Sequence, residues 1–339
     1  MREAVETQKD STPDPPPKPT PGASPNATPG PTTDAGAGPS PGGSANPSTD
    51  PTPSTGKAAA LYELTKPGIA GYVMMTAGVS YYVASGGQAE ILPVVHTLVG
   101  VALGTAGALA LNQYVERDLD ALMTRTRARP LPSGRLQPRE ALAFGWALLV
   151  AGLVYLGLAV GWLPSVLTAA SAAAYILAYT PLKTRSYLAT LVGAVPGAFP
   201  ALIGWSAATG TVEFGAVLLF CIAFLWQLPH VLAIAWLLRE DYARVGFFLN
   251  PPTDPDGRRI GRHMVYHSVS LLVISCLPTF VGITGQVYLA GAFVLGLITL
   301  GISVAAAAKM SRTRARRVFL WSLLYQPLLL ALLLIDTVR

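Results

Sequence analysis

The residues best suited to chemistry stand at the edges of apolar runs. Asn112, Glu116 and Asp120 are spaced i, i+4 and i+8. On a helix each step of four drifts by only about 40°, so the three side chains form one oxygen-bearing stripe. Hard cations such as Mg²⁺ take oxygen ligands of this kind and share them with substrate phosphates. Arg117 and Asp118 face elsewhere. Arginines follow at once, in Thr124-Arg125-Thr126-Arg127-Ala128-Arg129-Pro130. A cation stripe followed by guanidinium groups that bind two oxygens at a time suits a diphosphate. A second cluster, Arg239-Glu240-Asp241-Tyr242-Ala243-Arg244, closes another apolar run, and Lys183 and Arg185 close a third. Taken alone, Glu116 and Asp120 fit surface ion pairs with the arginines equally well. The second acidic cluster favours one shared polyanion site, with Lys183 and Arg185 adding to its positive field.

These groups need a frame, and composition supplies one. Of 339 residues, 51% are hydrophobic and 12% charged, with a net charge of +6. Soluble domains carry about 25% charged residues. Mean hydropathy is +0.45. A soluble globular enzyme and a wholly disordered chain are both excluded, and a polytopic membrane protein is expected. The two cysteines, Cys221 and Cys276, lie in apolar runs and offer neither a disulfide framework nor a Cys-rich metal site. From Ser11 to Gly56 there is no Val, Ile, Leu, Met, Phe, Tyr, Trp or Cys. Such a segment cannot bury enough apolar surface to offset its ordering entropy. Residues 1–57 therefore read as a disordered Pro/Ser/Thr/Gly-rich tail and 58–339 as the membrane domain. The tail has neither a signal peptide's apolar core nor a transit peptide's basic bias.

A bilayer-crossing helix takes about 20 mostly apolar residues. Nine candidates emerge: 67–85, 91–113, 140–160, 163–181, 188–208, 214–237, 265–284, 287–308 and 318–337. The loops after the second, fourth, sixth and eighth hold basic residues, and those after the first, third, fifth and seventh hold none. With the tail and linker included, 23 of the 24 Lys and Arg fall on one side, leaving only Arg339. The positive-inside rule puts the N-terminus and the acidic clusters in the cytoplasm and the C-terminus outside. The expected fold is an all-α bundle of nine transmembrane helices around a central cavity. Gly100/Gly104 and Gly193/Gly197 are small-residue pairs that let helices approach closely in lipid.

The string Asn112-x3-Glu116-x2-Leu119-Asp120-x2-Met123-x-Arg125-Thr126-x2-Arg129-x4-Gly134 resembles the signature of the UbiA-type intramembrane prenyltransferases. Several strings resemble the protohaem-farnesylating branch of that family. They are Asn112 to Met123, Tyr179-Thr180-Pro181-Leu182-Lys183, Ile203-Gly204-Trp205, Trp226-Gln227-Leu228-Pro229-His230 and Arg239-Glu240-Asp241-Tyr242-Ala243-Arg244-x-Gly246. The resemblance spans residues 60–339. The chain departs from it in three places. The family's second motif is usually Asp-x3-Asp, where this chain has Leu238-Arg239-Glu240-Asp241-Tyr242. After Lys183 it reads Thr184-Arg185-Ser186-Tyr187-Leu188-Ala189, without the usual Arg-Arg-Thr. Phe247-Phe248-Leu249-Asn250-Pro251-Pro252 replaces a Gly-Phe-Pro-Met-Leu-Pro pattern.

The resemblance implies farnesyl diphosphate and haem b as substrates and haem O and diphosphate as products. It implies Asn112, Glu116, Asp120 and Asp241 as catalytic residues. Mg²⁺ or a similar cation would sit on Asn112, Glu116, Asp120, Glu240 and Asp241. Arg125, Arg129, Lys183, Arg185, Arg239 and Arg244 would hold the diphosphate. The implied setting is a bacterial plasma membrane, with the site on the cytoplasmic side. Implied partners are the lipid bilayer and the next enzyme of haem A synthesis, with no nucleic acid. His230, inside the sixth span, is the candidate haem contact, against an interhelical hydrogen bond as the alternative. His96 reads as structural. His263 and His267 read as interface residues or neighbours of the haem propionates. Other acceptors, such as a quinone or chlorophyll precursor, keep the first motif. A transporter would place its charges near mid-bilayer, and a haem carrier would not need the Asn-Glu-Asp stripe.

Overall fold

A computed structural model describes residues 56–249 and 254–338. The tail expected over 1–57 lies almost wholly outside these residues, as do Asn250, Pro251 and Pro252. Among the described residues the regular structure is helical, apart from one isolated bridge between Thr284 and Thr337. A short helix α1 (Lys57–Leu64) leads into α2 (Pro67–Ala84), α3 (Ile91–Leu122) and α4 (Pro138–Ala159). Next come α5 (Trp162–Ala173), a π-helical turn (Ala174–Tyr179) and α6 (Thr180–Leu182), which form one continuous run. The rest is α7 (Ala189–Thr209), α8 (Phe214–Leu237), the short α9 (Arg239–Arg244), α10 (Arg258–Phe280), α11 (Gln286–Ala308) and α12 (Arg312–Asp336).

Among the described residues, eight helices are long and apolar enough to cross a membrane: α3, α4, the Trp162–Leu182 run, α7, α8, α10, α11 and α12. Segment 67–85 forms α2, whose 18 residues mix Gly, Thr, Ser and Tyr into the apolar run. Three of its polar side chains are satisfied inside the protein. Tyr72 donates to Leu323 O, Ser80 donates to Ala201 O, and Thr76 Oγ1 accepts from Gln326. A helix of modest hydropathy is thus accommodated by neighbouring helices.

Three helices outrun their apolar spans. α3 continues to Leu122, α10 starts at Arg258 and α12 at Arg312. Hydropathy ends where the chain meets polar surroundings, but Arg, Glu and Leu remain good helix formers. With 32 residues, α3 is about 48 Å long at about 1.5 Å per residue. The hydrocarbon layer is only about 30 Å thick. α3 is thus longer than a perpendicular crossing requires, and the acidic stripe occupies its C-terminal third.

α3 packs on α4, α2 on α7, α7 on α8, and α8 on both α10 and α12. The α3–α4 crossing depends on glycine, because a Cβ at Gly152 would overlap the Gly104 backbone. Likewise a Cβ at Gly204 would overlap the carbonyl of Ala77, so α7 approaches α2 backbone to backbone.

Candidate active site

The stripe forms as its spacing requires. Asn112, Glu116 and Asp120 all lie on the buried face of α3, with relative exposures of 1%, 6% and 1%. Asn112 donates to Thr180 Oγ1 at 3.0 Å and accepts from the Tyr175 hydroxyl at 3.2 Å. Glu116 meets Lys183 at 2.5 Å. Asp120 Oδ2 accepts from Arg129 at 2.6 Å, and Thr126 donates to the Asp120 carbonyl. Of the arginine pairs foreseen as an alternative, Asp120 makes one with Arg129 while Glu116 pairs with a lysine, and both carboxylates are buried rather than on the surface. A buried pair repays its desolvation poorly and adds little net stability over an apolar packing. Stability alone does not explain this cluster.

The π-helical turn positions the opposite wall. Pro181 cannot donate a helical hydrogen bond, and its ring crowds the carbonyl four residues back. Widening the helix relieves that conflict, and the Thr180 N–H bonds to Tyr175 O. Tyr175 and Tyr179 end up stacked at 5.6 Å. The Lys183 ammonium lies 4.4 Å from the Tyr179 ring centre and 5.7 Å from that of Phe247.

The second cluster divides. Asp241 is mostly buried and accepts from Arg244 at 2.9 Å. Arg244 also donates to Thr124 at 2.7 Å, which ties α9 to the segment following the stripe. Glu240 is 78% exposed and pairs with Arg239 at 3.3 Å. Arg239 lies over Trp236. Arg125 and Arg185 are exposed. Arg117 pairs with Asp118 away from the stripe and lies over Tyr114.

One participant was not foreseen. Lys66 stands between α1 and α2 with φ 46°, the only non-glycine positive φ among the described residues. Its ammonium lies in the field of Arg129, Glu116, Lys183 and Asp120. Burial first, then Arg129 and Lys183, outweigh the two acids and lower its pKa to about 7. The visible signal was a lysine directly before a proline-started helix, on the basic side of the chain.

Among the described residues no three His, Cys, Asp or Glu side chains converge as a ready-made metal site. The stripe still fits a cation. Asp120 Oδ1 is buried without a hydrogen-bond partner. An orphaned carboxylate oxygen is costly, and a divalent ion shared with phosphate oxygens would satisfy it.

Behind the stripe lies a cavity of about 310 Å³ with a mainly apolar lining. Tyr175, Tyr179, Gly193, Gly197, Val73 and Leu109 line it. The two tyrosines thus face both the cavity and the charged cluster. His230 does not line it. Its Nδ1 is 2.8 Å from Ser322 Oγ, and its ring packs against Trp226 and Phe319. His96 bonds to the Tyr155 hydroxyl at 2.7 Å.

A helical membrane protein with a buried acid–amide stripe at the mouth of an apolar cavity defines a class, and sequence comparison agrees. The chain belongs to the UbiA prenyltransferase family, whose profile matches residues 73–324. Among its relatives is the protoheme IX farnesyltransferase of Solibacter usitatus (strain Ellin6076). That protein is 42% identical over 283 residues, covering 81% of this chain and 97% of the relative. The protoheme IX farnesyltransferase of Myxococcus xanthus (strain DK1622) is 41% identical, covering 83% and 95%. A solved structure of digeranylgeranylglyceryl phosphate synthase superposes with a TM-score of 0.70 at 18% identity, over 82% of this chain and 98% of that one. A UbiA homologue from Archaeoglobus fulgidus bound to GPP and Mg²⁺ gives 0.53 at 15% identity, over 81% and 99%. At such identities the likeness speaks for the fold.

Proposed function

We propose that this prenyltransferase moves the farnesyl group of farnesyl diphosphate onto a vinyl group of haem b, giving haem O. The allylic C–O bond breaks and diphosphate leaves. The vinyl carbon bonds to C1 of the farnesyl chain, water adds to the neighbouring carbon, and a proton is released. The observation that carries this reading is the buried Asn112/Glu116/Asp120 stripe, lined with Arg129 and Lys183, at the mouth of an apolar cavity.

Arg129 and Lys183 hold the diphosphate oxygens, with Lys66 in the same charged cluster. Arg125, Arg185, Arg239 and Arg244 supply the surrounding positive field. Preorganised charge of this kind stabilises the leaving group in the transition state. Asn112, Glu116, Asp120 and Asp241 are the groups suited to hold Mg²⁺, with Glu240 at the exposed rim. When bound, the ion neutralises the diphosphate and eases its departure. Tyr175 and Tyr179, which line the cavity beside the charged cluster, border the allylic carbon. The apolar cavity takes the prenyl chain and keeps water from the allylic cation.

Membrane placement belongs to the same reading. α2 makes a ninth crossing, so the N-terminus and the site are cytoplasmic, the C-terminus lies outside, and the prenyl cavity is central. The setting is a bacterial plasma membrane, where the haem O product passes to the next enzyme of haem A synthesis.

The decisive experiment incubates membranes containing the protein with farnesyl diphosphate, haem b and Mg²⁺, then extracts the pigments for mass analysis. Haem O is the expected product. Unaltered haem b, with a quinone precursor farnesylated in its place, would overturn the acceptor assignment.

A further inference from the structure

The prenyl cavity has a neighbour that the stripe does not use. A second cavity of about 310 Å³ opens between α7, α8 and the start of α10. Leu188, Leu191, Leu232 and Ile260 supply apolar walls. Arg259, His263 and His267 also line it. These three are spaced i, i+4 and i+8 and share one face of α10. Among the described residues none of the three side chains has a hydrogen bond or an ion pair. The His263 and His267 rings lie 6.2 Å apart and 21° from parallel. Asp254 fixes the start of α10 by accepting from the backbone N–H groups of Arg259 and Ile260 at 3.0 and 2.9 Å.

Two connections join this cavity to the catalytic cluster. Thr190 lines both cavities. The segment bearing Leu249 is tied to the stripe's lysine, because the Phe248 N–H donates to the Lys183 carbonyl at 2.7 Å. A molecule in the second cavity therefore meets the wall of the prenyl cavity at Thr190.

Given the acceptor named above, we propose that the second cavity is the haem b site and that it, rather than His230, receives the porphyrin. Its chemistry matches that ligand part by part. A flat apolar macrocycle needs apolar walls with an open side, and a guanidinium suits a propionate carboxylate. A neutral imidazole suits the haem iron. Two imidazoles one helical turn apart give the iron a ligand at either of two depths. With a propionate on Arg259 and the iron at His263 or His267, a vinyl edge can face Thr190, the residue shared with the prenyl cavity.

The test is spectroscopic and separates this site from the reaction itself. The full chain in lipid nanodiscs is titrated with haem b while its absorption spectrum is recorded, and farnesyl diphosphate binding is measured in parallel. The wild-type protein should give a histidine-ligated spectrum. His263→Gln/His267→Gln should lose that signature and raise the haem Kd at least tenfold, with farnesyl diphosphate binding unchanged. Arg259→Gln should weaken haem b binding but leave the haem dimethyl ester, which lacks free carboxylates, unaffected. His230→Gln should keep the wild-type spectrum. Variants at 263 and 267 that bind haem b within twofold of wild type, with the same spectrum, overturn the site. So does loss of the signature in His230→Gln alone. A wild-type protein that neither binds nor farnesylates haem b overturns the acceptor assignment itself.

Discussion

Asp120 and Glu116 look alike in sequence but call for different substitutions. Asp120 pairs with Arg129, whose side chain is 21% exposed and keeps access to water when the partner is lost. Asp120→Ala should therefore fold normally and lose at least about 100-fold in turnover, in line with removing one preorganised electrostatic group. Glu116 pairs with Lys183 in a site where both side chains are under 10% exposed. Its removal would strand a buried charge at a cost of about 3–5 kcal/mol. Glu116→Gln is the cleaner test, with the same loss of turnover expected. Near-normal activity in either purified variant would remove the stripe from the mechanism. Lys66 adds a pH dependence. Its folded pKa of about 7 lies below the lysine range. Above that pH the unfolded chain binds a proton that the folded chain has released. Stability therefore rises with pH from about 7 up to the ordinary lysine pKa. A bound diphosphate should restore the proton, so farnesyl diphosphate affinity should fall as pH climbs above 7. Lys66→Arg, which keeps its charge, should flatten that slope. An identical slope in the variant would exclude Lys66 as its source.

At the scale of elements, α8 and α12 are joined by His230 and Ser322, and by Trp226 Nε1 donating to the Ser322 carbonyl at 2.8 Å. Interhelical hydrogen bonds in lipid average about 0.6 kcal/mol in double-mutant cycles. A cycle of His230→Ala and Ser322→Ala, read as thermal stability in detergent, should return a coupling of about that size. His230→Ala alone should lower the Tm while leaving farnesyl diphosphate affinity in place. Zero coupling would mean that the contact does not join the helices. The α5–α6 run shows a different device. One proline, at 181, widens the preceding turn and thereby sets two tyrosines against Asn112 and Lys183.

For the whole molecule, cysteine labelling reads the orientation. In a background of Cys221→Ser and Cys276→Ser, single cysteines at Gly134→Cys and Gly210→Cys probe opposite loops. Both glycines have positive φ and open space where a Cβ would go. Each φ carries some strain for any side chain, so Gly134→Ser and Gly210→Ser serve as unlabelled controls. A membrane-impermeant thiol reagent on intact cells should label the Gly210→Cys protein alone, and the reverse pattern would invert the topology. A protein beginning at Lys57 should keep full specific activity, because Ser11 to Gly56 offers no large apolar side chain for docking. A large loss on truncation would show that the tail takes part.

The all-helical class, the apolar spans and the Asn112/Glu116/Asp120 stripe were legible in the sequence because each depends on local periodicity. A side chain four residues on shares a face whatever the rest of the chain does. What local pattern cannot carry is partnership across distance. Glu116 meets Lys183 67 positions away, and Arg244 reaches Thr124 120 positions away. Asp241 turns inward while its neighbour Glu240 turns to solvent, a choice made by the packing of α9. Lys66 entered the site only once the α1–α2 turn placed it beside four charged groups. His230 found a serine on α12, while His263 and His267 came to line a cavity with α7 and α8. Periodicity determines which face of a helix is polar, and only the tertiary structure decides what that face meets.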